Sequence, residues 1–297
     1  LIFQNNGDYM QYFSEKHSAK VVIKQYENCK NTRLKKIMES AITHLHDFVK
    51  DVEPTQEEWN YLIDYLTKTG QKCDDKRQEF ILLSDVLGIS ALVDTINNRK
   101  SINATESTVL GPFHVNNAPR RKMGENINHD GKGEPAYIFG QVLDTNNNPI
   151  EHAEIDVWQA NEDGFYDIQQ PDVQPEMNLR GVFKTDKDGK YYFRSVKPKF
   201  YSIPTDGPVG TMISATGRHP NRPAHLHYIV SAKGYKPVVT HVFVKGSEYL
   251  DSDAVFGVKD SLISEYTLIK DKNKIKKYGF EAQYYELEFN FVLEKTD

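Results

Sequence analysis

The residues best able to do chemistry are His225 and His227, separated by a single leucine. Side chains of a strand repeat every two residues, so in an alternating segment both imidazoles project from one face and offer two convergent nitrogen donors. A His-x-His pair is equally compatible with hydrogen-bonded interior histidines, so its surroundings must separate metal binding from packing. Arg222 stands just ahead of the pair in His219-Pro220-Asn221-Arg222-Pro223-Ala224-His225, where prolines stiffen the approach. It reads either as a charge aimed into a site or as a rim salt bridge. Tyr166, in Asp163-Gly164-Phe165-Tyr166-Asp167, and Tyr201, in Lys199-Phe200-Tyr201-Ser202-Ile203-Pro204, sit beside turn signals rather than in mid-strand. Because the chain has 17 tyrosines, each of these two is also readable as an aromatic packed at a sheet edge with a wet hydroxyl.

The elements that must position these groups change character along the chain. Between residues 31 and 100 apolar residues recur at helical spacing, as in Leu34, Ile37, Met38, Ala41, Ile42, Leu45, Phe48 and Val49. A second helix is expected from Thr55, where Thr-Gln-Glu-Glu makes a capping box, to Gly70. A third is expected over residues 75–97, with Phe80, Leu83, Val86, Leu87 and Val93 on its face. After Ser107 the pattern alternates and turn signals crowd in: Asn146-Asn147-Asn148-Pro149, Asp186-Lys187-Asp188-Gly189 and Thr205-Asp206-Gly207-Pro208. Strands are expected over 137–144, 153–159, 189–196, 225–232 and 238–244, and the alternating tail with Tyr284, Leu287, Phe289 and Phe291 should return to the sheet. The fold class is α+β, a helical layer over residues 1–105 followed by a mostly antiparallel β-sandwich over 106–297.

Composition narrows the partners. The 297 residues suffice for a real core without disulfides, and the two cysteines, Cys29 and Cys73, read as free thiols in a reducing compartment. A net charge of −5, from 37 basic and 42 acidic residues without long single-sign blocks, leaves no electrostatic footprint for nucleic acid, so a small molecule is the expected partner. No stretch approaches the ~18 uncharged apolar residues of a membrane span. The first ten residues show no basic region followed by an apolar core, so the expected location is the cytoplasm.

From about Phe80 to Lys259 the chain resembles the intradiol ring-cleavage dioxygenases. The resemblance is carried by Ser84-Asp85-Val86-Leu87-Gly88, by Glu106-Ser107-Thr108-Val109-Leu110-Gly111-Pro112-Phe113, by Asp156-Val157-Trp158-Gln159-Ala160-Asn161 leading to Gly164-Phe165-Tyr166, by Asn178-Leu179-Arg180-Gly181, and by the run from Gly217 to His227. It implies one ferric ion per chain, held by Tyr166, Tyr201, His225 and His227, a set in which hard phenolate oxygens suit iron(III). It also implies that the catecholic substrate chelates this ion, that Tyr201 is displaced and accepts a substrate proton, and that Arg222 stabilises charge developing on the ring before dioxygen cleaves it. Pocket walls would come from Leu82, Val109, Leu110, Gly111, Pro112 and Phe113, with Ile203, Pro204 and Val255 opposite. Asp85 would meet an extra substrate hydroxyl or serve as an ordinary helix-face carboxylate. Thr205-Asp206-Gly207-Pro208-Val209-Gly210, Arg218-His219-Pro220 and Asp251-Ser252-Asp253-Ala254-Val255-Phe256-Gly257-Val258-Lys259 look more like the hydroxyquinol than the catechol branch. The products would be maleylacetate from hydroxyquinol and cis,cis-muconate from catechol. Ser202 departs from the proline expected after the second tyrosine, and His241 stands where catechol-type members tend to carry glutamine. The first hundred residues resemble a homodimerisation platform of the kind that often traps a lipid.

Two rivals from other classes remain at this level. Gly140-Gln141-Val142-Leu143-Asp144, with Pro149-Ile150 and Val157-Trp158, also resembles non-catalytic prealbumin-like sandwiches, which need neither tyrosine. A zinc hydrolase could use His225, His227 and His241.

Overall fold

The computed structural model describes residues 12–75, 77–101 and 103–296. The opening segment read above for a leader lies outside the described residues. The chain divides into two compact units, Leu1–Lys68 and Thr69–Asp297.

In the first unit α1 (Ser18–Lys24) precedes α2 (Thr32–Val52), and α3 (Gln56–Gln71) begins there. Asn31 caps α2 by accepting the Leu34 N–H at 2.9 Å. The capping box at α3 forms as expected: Glu58 accepts the Thr55 N–H at 2.8 Å and Thr55 Oγ1 accepts the Glu58 N–H at 3.3 Å. No residue of α2 is buried, and Leu34, Ile37, Leu45, Phe48, Val49 and Val52 lie exposed along it.

The second unit opens with a correction. The single third helix expected over 75–97 is two, α4 (Glu79–Val86) and α5 (Ile89–Asn97). Gly88 between them has φ of 73°, a left-handed conformation that ends one helix and turns the chain before the next. Residues 77 and 78, inside the expected range, are not helical.

The strands are β1 (Pro135–Asp144), β2 (Glu154–Trp158), β3 (Arg180–Lys184), β4 (Lys190–Val196), β5 (Tyr201–Ser202), β6 (Asn221–Arg222), β7 (His225–Ser231), β8 (Val238–Val244), β9 (Ile263–Ser264), β10 (Thr267–Ile269), β11 (Tyr284–Glu288) and β12 (Phe291–Leu293). Helix α6 (Pro208–Ala215) rises where only a turn was expected, because Gly207-Pro208 starts it with proline in the first turn, and α7 (Lys272–Lys277) precedes the tail. One sheet runs β10-β11-β1-β12 with β4 also on β1; the other runs β3-β2-β7-β8-β9. Between these strands, parallel pairing joins β1 with β11 and β12 and β8 with β9, and isolated parallel bridges join Arg120 to Val182 and Asn126 to Arg194.

Ile138, Val142 and Phe193 of the first sheet meet Ile155, Val157, Phe183, Leu226, Tyr228 and Val230 of the second in one buried core. This packing fixes the register of the second sheet. With Leu226 and Tyr228 turned into the core, His225 and His227 must face the opposite side. There His227 pairs across with Trp158 on β2 and His241 on β8.

Candidate metal centre

His225 Nε2 and His227 Nε2 lie 3.1 Å apart, and both rings are buried. The Pro223 carbonyl, 2.7 Å from His225 Nδ1, can only accept, so Nδ1 carries the proton and the Nε2 lone pair faces the partner ring. Trp158 stacks on His227 at 4.8 Å and 13°, which fixes the plane of that ring.

Tyr166 reaches the same point from a loop built by its own side chains. Asn161 Oδ1 accepts the N–H groups of Asp163 and Phe165, each at 3.0 Å, and Gln169 Oε1 accepts that of Tyr166 at 2.9 Å. The next residue, Asp167, is held by Arg180 Nε at 2.7 Å in a buried ion pair. Phe113 stacks on the phenol at 4.5 Å. The hydroxyl then lies 2.8 Å from His227 Nε2 and 3.4 Å from the Tyr201 hydroxyl. Gly164, with φ of 82°, brings the two tyrosine loops together: a Cβ there would fall 2.9 Å from Tyr201 Cβ.

Tyr201 and Arg222 are direct partners in the short β5–β6 ribbon, and Ser202, in place of the expected proline, uses its hydroxyl to bond the Asn221 side chain at 2.6 Å. Arg222 Nη1 lies 3.4 Å from the Tyr201 hydroxyl and 3.3 Å from His225 Nε2. Its remaining nitrogens are forked by Asp253, Nε to Oδ1 at 3.0 Å and Nη2 to Oδ2 at 3.2 Å. His241 Nδ1 lies 3.4 Å from Arg222 Nη2, and its Nε2 is buried without a protein partner.

The electrostatics follow from burial beside fixed charges, Arg222 foremost. Desolvation, then the Arg222 charge, pushes His225 down to about 3; desolvation and neighbouring positive groups hold His227 and His241 well below the ordinary imidazole range. Burial and the neighbouring Tyr201 push the Tyr166 phenol well above its ordinary value. Burial opposes charge on Asp253, but Arg222 outweighs it and keeps the carboxylate below its usual range, while Asp253 keeps Arg222 protonated.

Four donor atoms, Tyr166 Oη, Tyr201 Oη, His225 Nε2 and His227 Nε2, thus crowd at 2.8–3.4 Å in the contacts between them. Ligands about 2.0–2.2 Å from one ion stand roughly this far from each other. Two neutral, buried imidazoles turned edge to edge are a poor arrangement for packing alone and a natural one around a cation. Ligand atoms of His225, His227 and His241 also fall within 4.8 Å of one another, so the three-histidine set of the zinc reading exists geometrically. It leaves the two convergent phenols without a role.

Leu82, Val109, Ile203 and Val255 come together around Val86, Val209 and Ile213 in a second apolar cluster. Gly111 lies against His227, its missing Cβ 3.0 Å from His227 Cε1. Leu110 and Pro112 are exposed and Pro204 is half-buried. Asp85 is half-buried near the end of α4; burial raises its carboxyl, while Ser90 and the Arg222 charge act the other way. Sequence reasoning missed Asp253 and Trp158 as parts of this centre. Both stood inside quoted motifs, but only the fold shows one behind Arg222 and the other on His227.

Comparison with known proteins identifies the family. Residues 109–295 match the family described as dioxygenase and residues 31–105 the catechol dioxygenase N terminus. The chain is 53% identical over 283 residues to a hydroxyquinol 1,2-dioxygenase of Rhizobium sp. (strain MTP-10005), covering 95% of this chain and 96% of that one. It is 47% identical to 6-chlorohydroxyquinol 1,2-dioxygenase of Cupriavidus pinatubonensis, covering 97% of this chain and all of that one. The solved structure of hydroxyquinol 1,2-dioxygenase from Pseudomonas putida DLL-E4 superimposes with a TM-score of 0.90 at 47% identity, over 95% and 99% of the two chains. The chain belongs to the intradiol ring-cleavage dioxygenases, a class of non-haem iron enzymes. Neither the binding-module nor the zinc-hydrolase reading is favoured by these relatives.

Proposed function

We propose that Tyr166, Tyr201, His225 and His227 hold one ferric ion per chain and that the enzyme opens hydroxyquinol between its vicinal hydroxyls to give maleylacetate, with catechol as the lesser substrate giving cis,cis-muconate. The observation that carries this is the convergence of two phenol oxygens on two lone-pair nitrogens. The ion, when bound, supplies Lewis acidity that activates the ring toward dioxygen. The protein supplies the rest. The Tyr201 oxygen, beside Arg222, receives a hydroxyl proton from the incoming substrate. Arg222, held by Asp253 through Nε and Nη2, turns Nη1 toward the charge that develops on the ring and lowers its energy in a water-poor setting. Leu82, Val109, Ile203 and Val255, with Phe113 beside Tyr166, exclude water, and Gly111 lets the loop approach His227. Leu110, Pro112 and Pro204 complete the rim. Asp85 meets the third hydroxyl of hydroxyquinol, a preference that the hydroxyquinol-cleaving relatives support.

The same reading assigns residues 1–105 to a homodimerisation platform and 106–297 to the catalytic sandwich. The exposed apolar side chains of α2 are the surface that such a dimer, with or without an enclosed lipid, would cover. Free Cys29 and Cys73 fit a reducing, cytoplasmic setting. No helix among the described residues is long and apolar enough to cross a membrane.

Oxygen uptake and product analysis on hydroxyquinol and catechol, side by side, test the activity. One dioxygen consumed per ring opened, with both oxygen atoms in the product and the higher kcat/KM on hydroxyquinol, is the expected result. Turnover of neither ring would overturn it.

A further inference from the structure

Helix α4 spans only Glu79–Val86, too short to hold its own shape in water, yet it carries Leu82 and Asp85 of the substrate pocket. Its apolar face packs on Val209 and Ile213, and its orientation on that surface is set by what its ends are tied to. At the first residue Glu79 is fully buried, and its Oε1 accepts the backbone N–H of Val209, in the first turn of α6, at 3.1 Å. Its Oε2 accepts from Arg77 Nε at 2.8 Å; Arg77 also binds Asp206, which Lys72 reaches at 3.0 Å. Gly207 makes room for the carboxylate, since a Cβ there would lie 2.3 Å from Glu79 Oε1. At the last residue Arg218 donates from Nη1 to the Val86 carbonyl at 2.7 Å and from Nη2 to the Ala254 carbonyl at 3.0 Å. Ala254 stands between Asp253, which holds Arg222, and Val255 of the pocket wall.

Both ties are charge-assisted, and each fills backbone positions that a helix end leaves unpaired. They also fall in two of the sequence strings singled out above that the chemistry leaves unused, Thr205-Asp206-Gly207-Pro208-Val209-Gly210 and Arg218-His219-Pro220. A carboxylate discriminates for a substrate hydroxyl to the extent that the ring lacking it leaves the carboxylate desolvated and short of a partner, and half-buried Asp85 has Ser90 beside it but a second oxygen to offer. A helix free to drift would let Asp85 turn to water, and the discrimination would go with it.

We propose that Glu79 and Arg218 are positioning residues that pin α4 at its two ends and thereby set the enzyme's selectivity for the trihydroxylated over the dihydroxylated ring. This rests on the substrate reading above. Neither side chain touches the ring; both act through the placement of Asp85 and Leu82.

The test compares wild type, Glu79→Gln and Arg218→Lys as iron-loaded enzymes, by kcat/KM on hydroxyquinol and on catechol, together with iron content and visible absorption. The hydroxyquinol-to-catechol ratio should fall roughly tenfold, chiefly through a higher KM for hydroxyquinol, with iron and absorption as in wild type. Arg218→Lys keeps the charge and gives up one of two bonds, so it carries the test if the buried Glu79→Gln variant does not fold. An unchanged ratio, or an equal loss on both rings, in folded and iron-loaded Arg218→Lys would overturn the proposal. Wild-type turnover of either ring stands on its own, so such a result counts against the clamp and not against the activity.

Discussion

Replacing Asp253 by Asn tests how Arg222 is held. The guanidinium is buried, and its partner contributes two hydrogen bonds, Nε to Oδ1 at 3.0 Å and Nη2 to Oδ2 at 3.2 Å. Opposite charges about 4 Å apart attract by roughly 4 kcal/mol at the effective dielectric of protein sites. Breaking a buried pair from one side is worth about 3–5 kcal/mol, because the other charge stays behind. Asn keeps one acceptor but turns an NH2 toward Arg222 Nη2 and the Gly257 N–H, both of which donate to Oδ2 in the native site. We therefore expect a loss of ~3 kcal/mol in urea unfolding and a fall in melting temperature of roughly 6–12 °C. Because Arg222 is then no longer aimed, kcat/KM should drop by about 10²–10³. Iron content should persist, since Asp253 lies on the far side of Arg222 from the four donors. The sign of the pH dependence is fixed as well: a carboxylate with a lowered native pKa stabilises the fold above its unfolded value near 3.9 and loses that contribution as pH falls through the native value. The Asn variant should lack this acid-limb dependence. Stability within ~0.5 kcal/mol of wild type and an unchanged rate would refute the reasoning.

Three further outcomes are expected. Tyr166→Phe keeps the ring stacked on Phe113 and removes only the oxygen, so the fold should survive while the red ferric-tyrosinate absorption and tight iron binding are lost; an unchanged visible spectrum would contradict the ligand assignment. Gly111→Ala puts a Cβ 3.0 Å from His227 Cε1 at φ of 75°, and should lower both stability, by about 1–3 kcal/mol, and iron affinity in a chelator titration; wild-type values for both would contradict the contact. Burial lowers Lys100 to about 8, so at pH 8 about half of it is free amine against well under about 1% for an ordinary lysine. Its charged form is disfavoured in the fold, so its contribution to stability improves as pH rises from about 8 toward the unfolded value. Acetylation rates followed across pH by mass spectrometry should give Lys100 a profile with its midpoint at about 8, and a midpoint at the ordinary lysine value would contradict it.

What the sequence revealed about this fold depended on the range of the forces involved. The helical stripe of α2, the Thr55 capping box and the period-two run around His225 are local, and β8 appears over the same residues, Val238–Val244, that alternation marks. Gly88 acts locally as well, but one glycine in a continuous apolar stripe does not announce that the backbone turns left-handed there, so the sequence pattern runs α4 and α5 together. Helix α6 was hidden because its start, Gly207-Pro208, is also a turn signal. The proposed ligand set rests on resemblance: spacing places His225 and His227 on one face, while nothing local brings Tyr166 and Tyr201 to them. That juxtaposition needs the close approach at Gly164 and the β5–β6 ribbon. Asp253 and Trp158 are long-range in the same sense, set by loop closure and sheet register.

Iron-edge anomalous diffraction from crystals of the purified protein, with elemental analysis of the same sample, addresses the coordination sphere itself. The account predicts a single iron per chain bonded to the oxygens of Tyr166 and Tyr201 and to the Nε2 atoms of His225 and His227. Zinc seated among His225, His227 and His241, with either phenol turned away, would contradict it.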